Sequence, residues 1–220
     1  MTTPTVEEYL EVMYMLAAES QTVKGARLAK TLGVSRPTVT ATLRRMARDG
    51  LIKVRANKDV VLTRRGFKRA DDLQRRHRIV ERWLTDVLGF DWAKSDAEAH
   101  RLEHVMSDEV VERLIELLGH PATCPHGNPI PGNTAPDPAP AVFQLCAAES
   151  GDQVCVTRIS EYAENVGELL RYLGERGLRP GARVLVADVS PLHSSFTLEL
   201  DHKHFSLSPQ IAEYVWVTRI

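Results

Sequence analysis

Cysteine is scarce in this chain of 220 residues. Cys124, Cys146 and Cys155 are odd in number, widely spaced and without a C-x-x-C pair, which excludes a disulfide framework and a thiolate zinc finger. On that ground all three are expected to be bystanders. Long apolar runs are missing too: nothing approaches the roughly 18 to 20 consecutive apolar residues of a membrane-spanning helix. The opening MTTPTVEEYLEVMYML lacks the basic stretch and cleavage site of a secretory leader and carries acids within its amphipathic pattern. A soluble, cytoplasmic protein with no membrane partner is expected.

Net charge is nearly absent, at −1, but that average conceals a segregation. Lys24 to Arg78 holds 17 basic and 4 acidic residues, a net of +13, and the rest of the chain 11 basic and 25 acidic, a net of −14. The first part suits a phosphate backbone and the second suits cations.

The spacing of apolar residues predicts a first helix over Glu7 to Glu19 and a short second one over Lys24 to Leu32, ended by Gly33, which can take the left-handed turn. A third helix follows from an N-cap at Ser35, with Pro37 in its first turn and Val39, Leu43 and Met46 as its buried stripe, up to Gly50. Two β-prone runs, LIKVRA and VVLT, joined by Asn57-Lys58-Asp59, read as a hairpin. Helical spacing returns at Gly66 and leads to an acidic helical region over roughly Ser95 to Leu118. Between His120 and Pro140 lie 7 of the 12 prolines, a stiff connection. Beyond it VCVTRI, ARVLVADV and FTLELD predict strands around one helix, ENVGELLRYLGERG, as in a small barrel. The fold class expected is α+β and multidomain: a winged helix-turn-helix over 1–73, a second, helical domain with a Pro-rich linker over 74–140, which the family resemblance described below makes a dimerisation and metal-binding domain, and a small SH3-like β-barrel over 141–220.

In a helix-turn-helix the second helix enters the major groove. Here that helix is SRPTVTATLRRM: Ser35, Arg36, Thr38 and Thr40 are candidates for bases or backbone, Pro37 for a thymine methyl, and Arg44 and Arg45 for phosphates. Lys58, at the wing tip, is placed for a minor groove. A double-stranded DNA partner is therefore expected, and no small organic substrate.

Within DAEAHRLEH, Asp96, His100, Glu103 and His104 fall at i, i+4, i+7 and i+8 on one helix face. Helical spacing also pairs His77 with Glu81 and Glu8 with Glu11, although an i,i+4 pair taken alone is commonly a solvated surface feature. Imidazole plus carboxylate without thiolate suits Mn(II) first and Fe(II) second. A competing possibility is that His100-Arg-Leu-Glu-His104 is the H-x-x-E-H motif of a zinc metallopeptidase, with Glu103 as base.

Taken together, the helix-turn-helix, EHVMSDEV (Glu103 to Val110) and GNPIPG (Gly127 to Gly132) resemble the diphtheria toxin repressor family of metal-dependent transcriptional regulators, along essentially the full chain. The resemblance implies a primary metal site at Glu8, His100, Glu103 and His104. It implies an ancillary site at His77, Glu81 and Asp96, with Glu161 and Glu164 contributed by the third domain. Relative to the iron-sensing members, Glu8 stands for a methionine, His100 for a cysteine, Asp96 for a histidine and Glu164 for a glutamine, so softer ligands give way to harder ones. The first helix is instead similar to the manganese transport regulators, which carry acids at the positions of Glu8 and Glu11 and a histidine matching His77. That mixture leaves open whether Glu11 or Glu161 is a ligand. The resemblance further implies a homodimer on palindromic operators that represses metal-uptake genes.

Overall fold

The structure is a computed structural model and describes residues 3–133, 141–161, 166–190 and 194–220. The first unit packs α1 (Pro4–Ala18), α2 (Gly25–Thr31) and α3 (Arg36–Arg48) with the hairpin β1 (Ile52–Val54) and β2 (Val60–Leu62). α1 starts three residues before the predicted Glu7, because Pro4 is tolerated in the first turn of a helix. Leu10, Met13, Leu16, Leu28, Val39, Met46, Ile52 and Val60 form one core. Gly33 turns between α2 and α3 at φ +64°. Ser35 caps α3, its hydroxyl accepting from the Thr38 amide at 3.2 Å, as its position predicted.

The hairpin pairs Ile52 with Leu62, Lys53 with Val61 and Val54 with Val60. Its tip is Asn57-Lys58-Asp59, with Lys58 at φ +65° and Asn57 and Asp59 bonded to each other. α4 (Arg64–Asp86) then runs for 23 residues, roughly 35 Å at 1.5 Å per residue. Thr63 caps it by accepting from the Gly66 amide at 3.0 Å. This helix carries the chain out of the first unit and is the spine of the second.

Against α4 lie α5 (Trp92–Leu102) and α6 (Asp108–Leu117), where the sequence predicts one helical region. The break at Glu103 to Ser107 has a local cause: Ser107 caps α6 by accepting from the Val110 amide at 3.3 Å, and capping competes with helix continuation. Ile79, Val111, Ile115 and Ile130 form one small core on α4, and Val80, Leu84 and Ala99 another.

The third unit is a six-stranded antiparallel sheet in the order β3-β8-β4-β5-β6-β7: β3 (Phe143–Gln144), β4 (Gln153–Ile159), β5 (Arg183–Ser190), β6 (Ser195–Leu200), β7 (Lys203–Leu207) and β8 (Val215–Arg219). The helix α7 (Val166–Glu175) packs on it, and a short α8 (Pro209–Ala212) precedes β8. The three predicted strands are β4, β5 and β6. β3 is too short and β7 too exposed to leave an apolar alternation. Trp92 and Ala93 of α5 are buried within this sheet's core, so the third unit is docked on the second. Among the described residues no helix is long and apolar enough to cross a membrane.

Candidate metal centre and nucleic-acid interface

Helical periodicity turns one face of α4 toward α1 and α5, and that face carries His77 and Glu81, four residues apart. Both are buried, with side chains 10% and 0% exposed; they are no surface ion pair. Glu11 from α1, His77 from α4 and His100 and Glu103 at the end of α5 converge, with one ligand-type atom of each within 4.8 Å of the others. His77 Nδ1 lies 2.6 Å from Glu103 Oε2, and His100 Nδ1 lies 3.1 Å from Glu103 Oε1 and 3.9 Å from Glu11 Oε2. The other edge of the same imidazole starts a second group: His77 Nε2 is 3.4 Å from Glu81 and 3.6 Å from Asp96. Glu81 in turn begins a third, formed with Cys124, His126 and Glu161. Histidine and carboxylate thus alternate in one line through the molecule, from α1 to the third unit.

Charge in this line is set by burial and by its neighbours. Burial and then the Glu103 carboxylate push Glu11 up to about 9, against the opposing pull of His77. Burial also works against charge on Glu103 and Glu81. It is outweighed at Glu103 by His77 and by hydrogen bonds, which hold that carboxyl at about 2. At Glu81 the facing imidazoliums of His126 and His77 keep the carboxyl well below its ordinary range. The Cys124 thiol is pushed up to about 11, first by burial and then by the nearby Glu81 and Glu161.

The third group is closed by a loop. The amide of Ile130 donates to Ala122 and that of Cys124 to Asn128, so the chain doubles back through the PHGNP segment. Gly127 sits at φ +85°, and a Cβ there would lie 2.1 Å from the Thr157 carbonyl; only glycine lets the loop approach β4 this closely. His126 Nε2 donates to the Trp92 carbonyl at 2.9 Å, which leaves Nδ1 aimed at Glu81 Oε1, 2.9 Å away. Yet His126 Nδ1, both Glu81 oxygens and Glu103 Oε1 are buried without a well-formed hydrogen bond. Buried polar atoms left in this way call for a partner, and the donor types, carboxylate and imidazole, fit a divalent ion.

The geometry differs from three expectations. Glu8 and His104 are not among the four converging residues of the first group. Glu8 sits half-buried at its rim, close enough to raise the pKa of His100 as a minor influence behind Glu103. His104 touches both sides: its Nδ1 lies 2.9 Å from Glu7, which also accepts from Arg69 at 2.5 Å, and its Nε2 lies 3.2 Å from Glu103 Oε1, so it stands directly beside the first group. Cys124, expected as a bystander, lies with Glu81, His126 and Glu161, so Glu161 meets the expected ancillary set at Glu81 and not at His77 or Asp96. Glu164 lies outside the described residues. Sequence reasoning passed over Glu7 and His126. The available signal for His126 was the spacing Cys124-x-His126, which on an extended segment puts both side chains on one face.

On the DNA-reading side, Arg36, Pro37, Thr38, Thr40 and Arg44 are exposed along α3, with Ser35 at its cap and Lys58 at the wing tip. Thr38 and Thr40 are engaged locally, with Ser35 at 2.8 Å and the Arg36 carbonyl at 3.0 Å. Arg45 turns back from this surface and reaches Thr3 at the start of α1, at 3.4 Å. Arg48 is exposed on the same helix.

Residues 1–60 match the iron dependent repressor, N-terminal DNA binding domain; residues 63–132 the iron dependent repressor, metal binding and dimerisation domain; and residues 143–219 the FeoA domain. The iron-dependent repressor IdeR of Mycobacterium leprae is 38% identical, over 98% of this chain and 97% of its own length. This chain belongs to the iron-dependent repressor family. It is thus a metal-dependent transcriptional repressor with a winged-helix, a helical and an SH3-like unit. The diphtheria toxin repressor of Corynebacterium diphtheriae is 37% identical over 84% of each chain. A solved manganese-dependent transcriptional repressor in complex with manganese superimposes with a TM-score of 0.87, at 32% identity, over 98% of this chain and all of that one. Membership removes support for the peptidase alternative, and the geometry agrees. Glu103, its required base, is wholly buried, with ring nitrogens of His77, His100 and His104 all within 3.2 Å of its carboxylate.

Proposed function

We propose that this repressor is activated by Mn(II), with Fe(II) as the second candidate, and that it represses metal-uptake genes as a homodimer on palindromic operators. The observation that carries the reading is that Glu11 comes from the DNA-binding unit while His77, His100 and Glu103 come from the helical unit. A site divided between two units ties occupancy to their relative placement, and a ligand shifts such an equilibrium by its differential affinity for the two states.

In this reading Glu11, His77, His100 and Glu103 hold one cation, with Glu8 and His104 at its rim. Glu81, Cys124, His126 and Glu161 hold another, and Asp96 supports the shared His77 and Glu81. The first set is oxygen and imidazole, which suits manganese; the thiol gives the second a softer character. A bound divalent ion supplies the positive charge that protons otherwise provide along this line. Glu11 would be the ligand contributed by α1, so an occupied site would hold α1 against α4 and α5 at one angle and with it the presentation of α3. Ser35, Arg36, Pro37, Thr38 and Thr40 face base edges, Arg44 and Arg48 phosphates, and Lys58 a minor groove. Arg45 belongs to the support of α1.

Dimerisation is supported by the family domain that residues 63–132 match and by the exposed Val105, Val110 and Leu117 on and beside α6. Two recognition helices then meet major grooves one turn or a multiple apart. The test is a gel shift of a palindromic promoter fragment upstream of a metal-uptake gene with Mn(II), Fe(II) or chelator. Tighter binding with Mn(II) is expected, and equal affinity in all three overturns the reading.

A further inference from the structure

The segment Arg158 to Glu161, at the end of β4, faces two ways. Glu161 reaches the thiol-containing group, where its oxygens accept from Arg78 at 2.8 Å, Asn128 at 2.9 Å and Gln74 at 3.2 Å. Arg158 and Ser160 reach instead the far end of α1. There Glu19, the C-cap residue, is 5% exposed and accepts from Arg158 Nη1 and, at 3.1 Å, from the Ser160 hydroxyl. The contact is built up from behind. The Trp216 indole donates to Ser160 at 2.9 Å, which orients the hydroxyl's own proton toward Glu19. The Arg158 guanidinium lies 4.1 Å from the Trp216 ring centroid. The backbone between is clamped as well: the Ile159 amide donates to the His126 carbonyl at 2.9 Å, and Asn128 donates to the Ile159 carbonyl at 2.8 Å.

We propose that Glu19 and Arg158 are positioning residues that tie the thiol-containing group to the DNA-binding unit, holding the C-terminal end of α1 in addition to the contacts that Glu7 and Glu11 make along it. Glu11 anchors its middle, through the first group. Glu19, eight residues on and roughly 12 Å along the axis, anchors its end, through β4 and the same short segment that supplies Glu161 and braces His126. Order imposed on Glu161 and His126 by a cation is thereby transmitted to the end of α1, next to the turn into α2. The inference rests on the reading of Glu81, Cys124, His126 and Glu161 as cation ligands.

Co(II) is a suitable probe in the full chain, because thiolate ligation adds a near-ultraviolet charge-transfer band that reports on Cys124. Amide hydrogen exchange at Glu19, Ser20 and Gln21 reports on the end of α1. In the wild type, Co(II) should give the band and slow these amides by about tenfold, within the usual range of coupling between sites. Glu19→Gln, which keeps the size of the side chain, and Arg158→Met should keep the band and lose the added protection. Arg158→Lys, which keeps the charge, should retain most of it. Full Co(II)-induced protection in Glu19→Gln and Arg158→Met would overturn the tether while leaving the cation reading in place. Absence of the band in the wild type would instead remove the cation reading and the tether with it.

Discussion

Glu11 shows how one side chain sets the behaviour of a site. Its carboxyl is held at about 9 against an ordinary 4.5, so the folded chain keeps a proton there that the unfolded chain releases. The stability this contributes is fully present below pH 4.5 and is lost as pH rises from 4.5 toward 9. Glu11→Gln, which mimics the protonated form, should therefore raise the melting temperature of the metal-free protein at pH 8, by about a few °C, and change it little at pH 5. The same proton has to leave when a cation binds. Manganese binding to the wild type should release protons, seen as a dependence of calorimetric heat on buffer ionisation, and should tighten from pH 6 to pH 8. Glu103, held at about 2, has none to give. A pH-independent affinity would count against Glu11 as a ligand.

The elements divide the work, and α3 and α4 do so most visibly. Local signals were enough to place α3: the Ser35 cap, the proline in its first turn and the following glycine stop all belong to neighbouring residues. Ser35→Ala should cost about 1 kcal/mol in denaturant unfolding. Which arginines of α3 face outward was not legible, because Arg44 and Arg45 differ only in whether α1 lies against them. Arg44→Ala should weaken DNA binding evenly across sequences and reduce the salt slope by about one. Arg45→Ala should leave that slope unchanged, since its partner is Thr3. On α4, helical spacing paired His77 with Glu81 but gave no sign of their burial, which depends on α1, α5 and the PHGNP loop closing over them.

For the whole molecule, the charge segregation along the sequence becomes a division of labour, with a basic reading surface at one end and a line of carboxylates and imidazoles behind it. If the exposed apolar side chains beside and along α6 form the dimer contact, Leu117→Arg should yield a monomer in sedimentation and lose operator binding while retaining its metal stoichiometry. The sequence alone determined the helices and hairpin of the first unit, three of the six strands of the third, the order of the three units and the candidate ligands spaced along single helices, because caps, turns and periodicity act between residues a few positions apart. The tertiary structure alone decided which side chains meet: Glu11 with His77, His100 and Glu103, Cys124 and His126 with Glu81 and Glu161, and Glu19 with Arg158. Those groups are assembled from segments tens of residues apart, and their juxtaposition depends on how α1, the glycine-turned loop and β4 pack around α4.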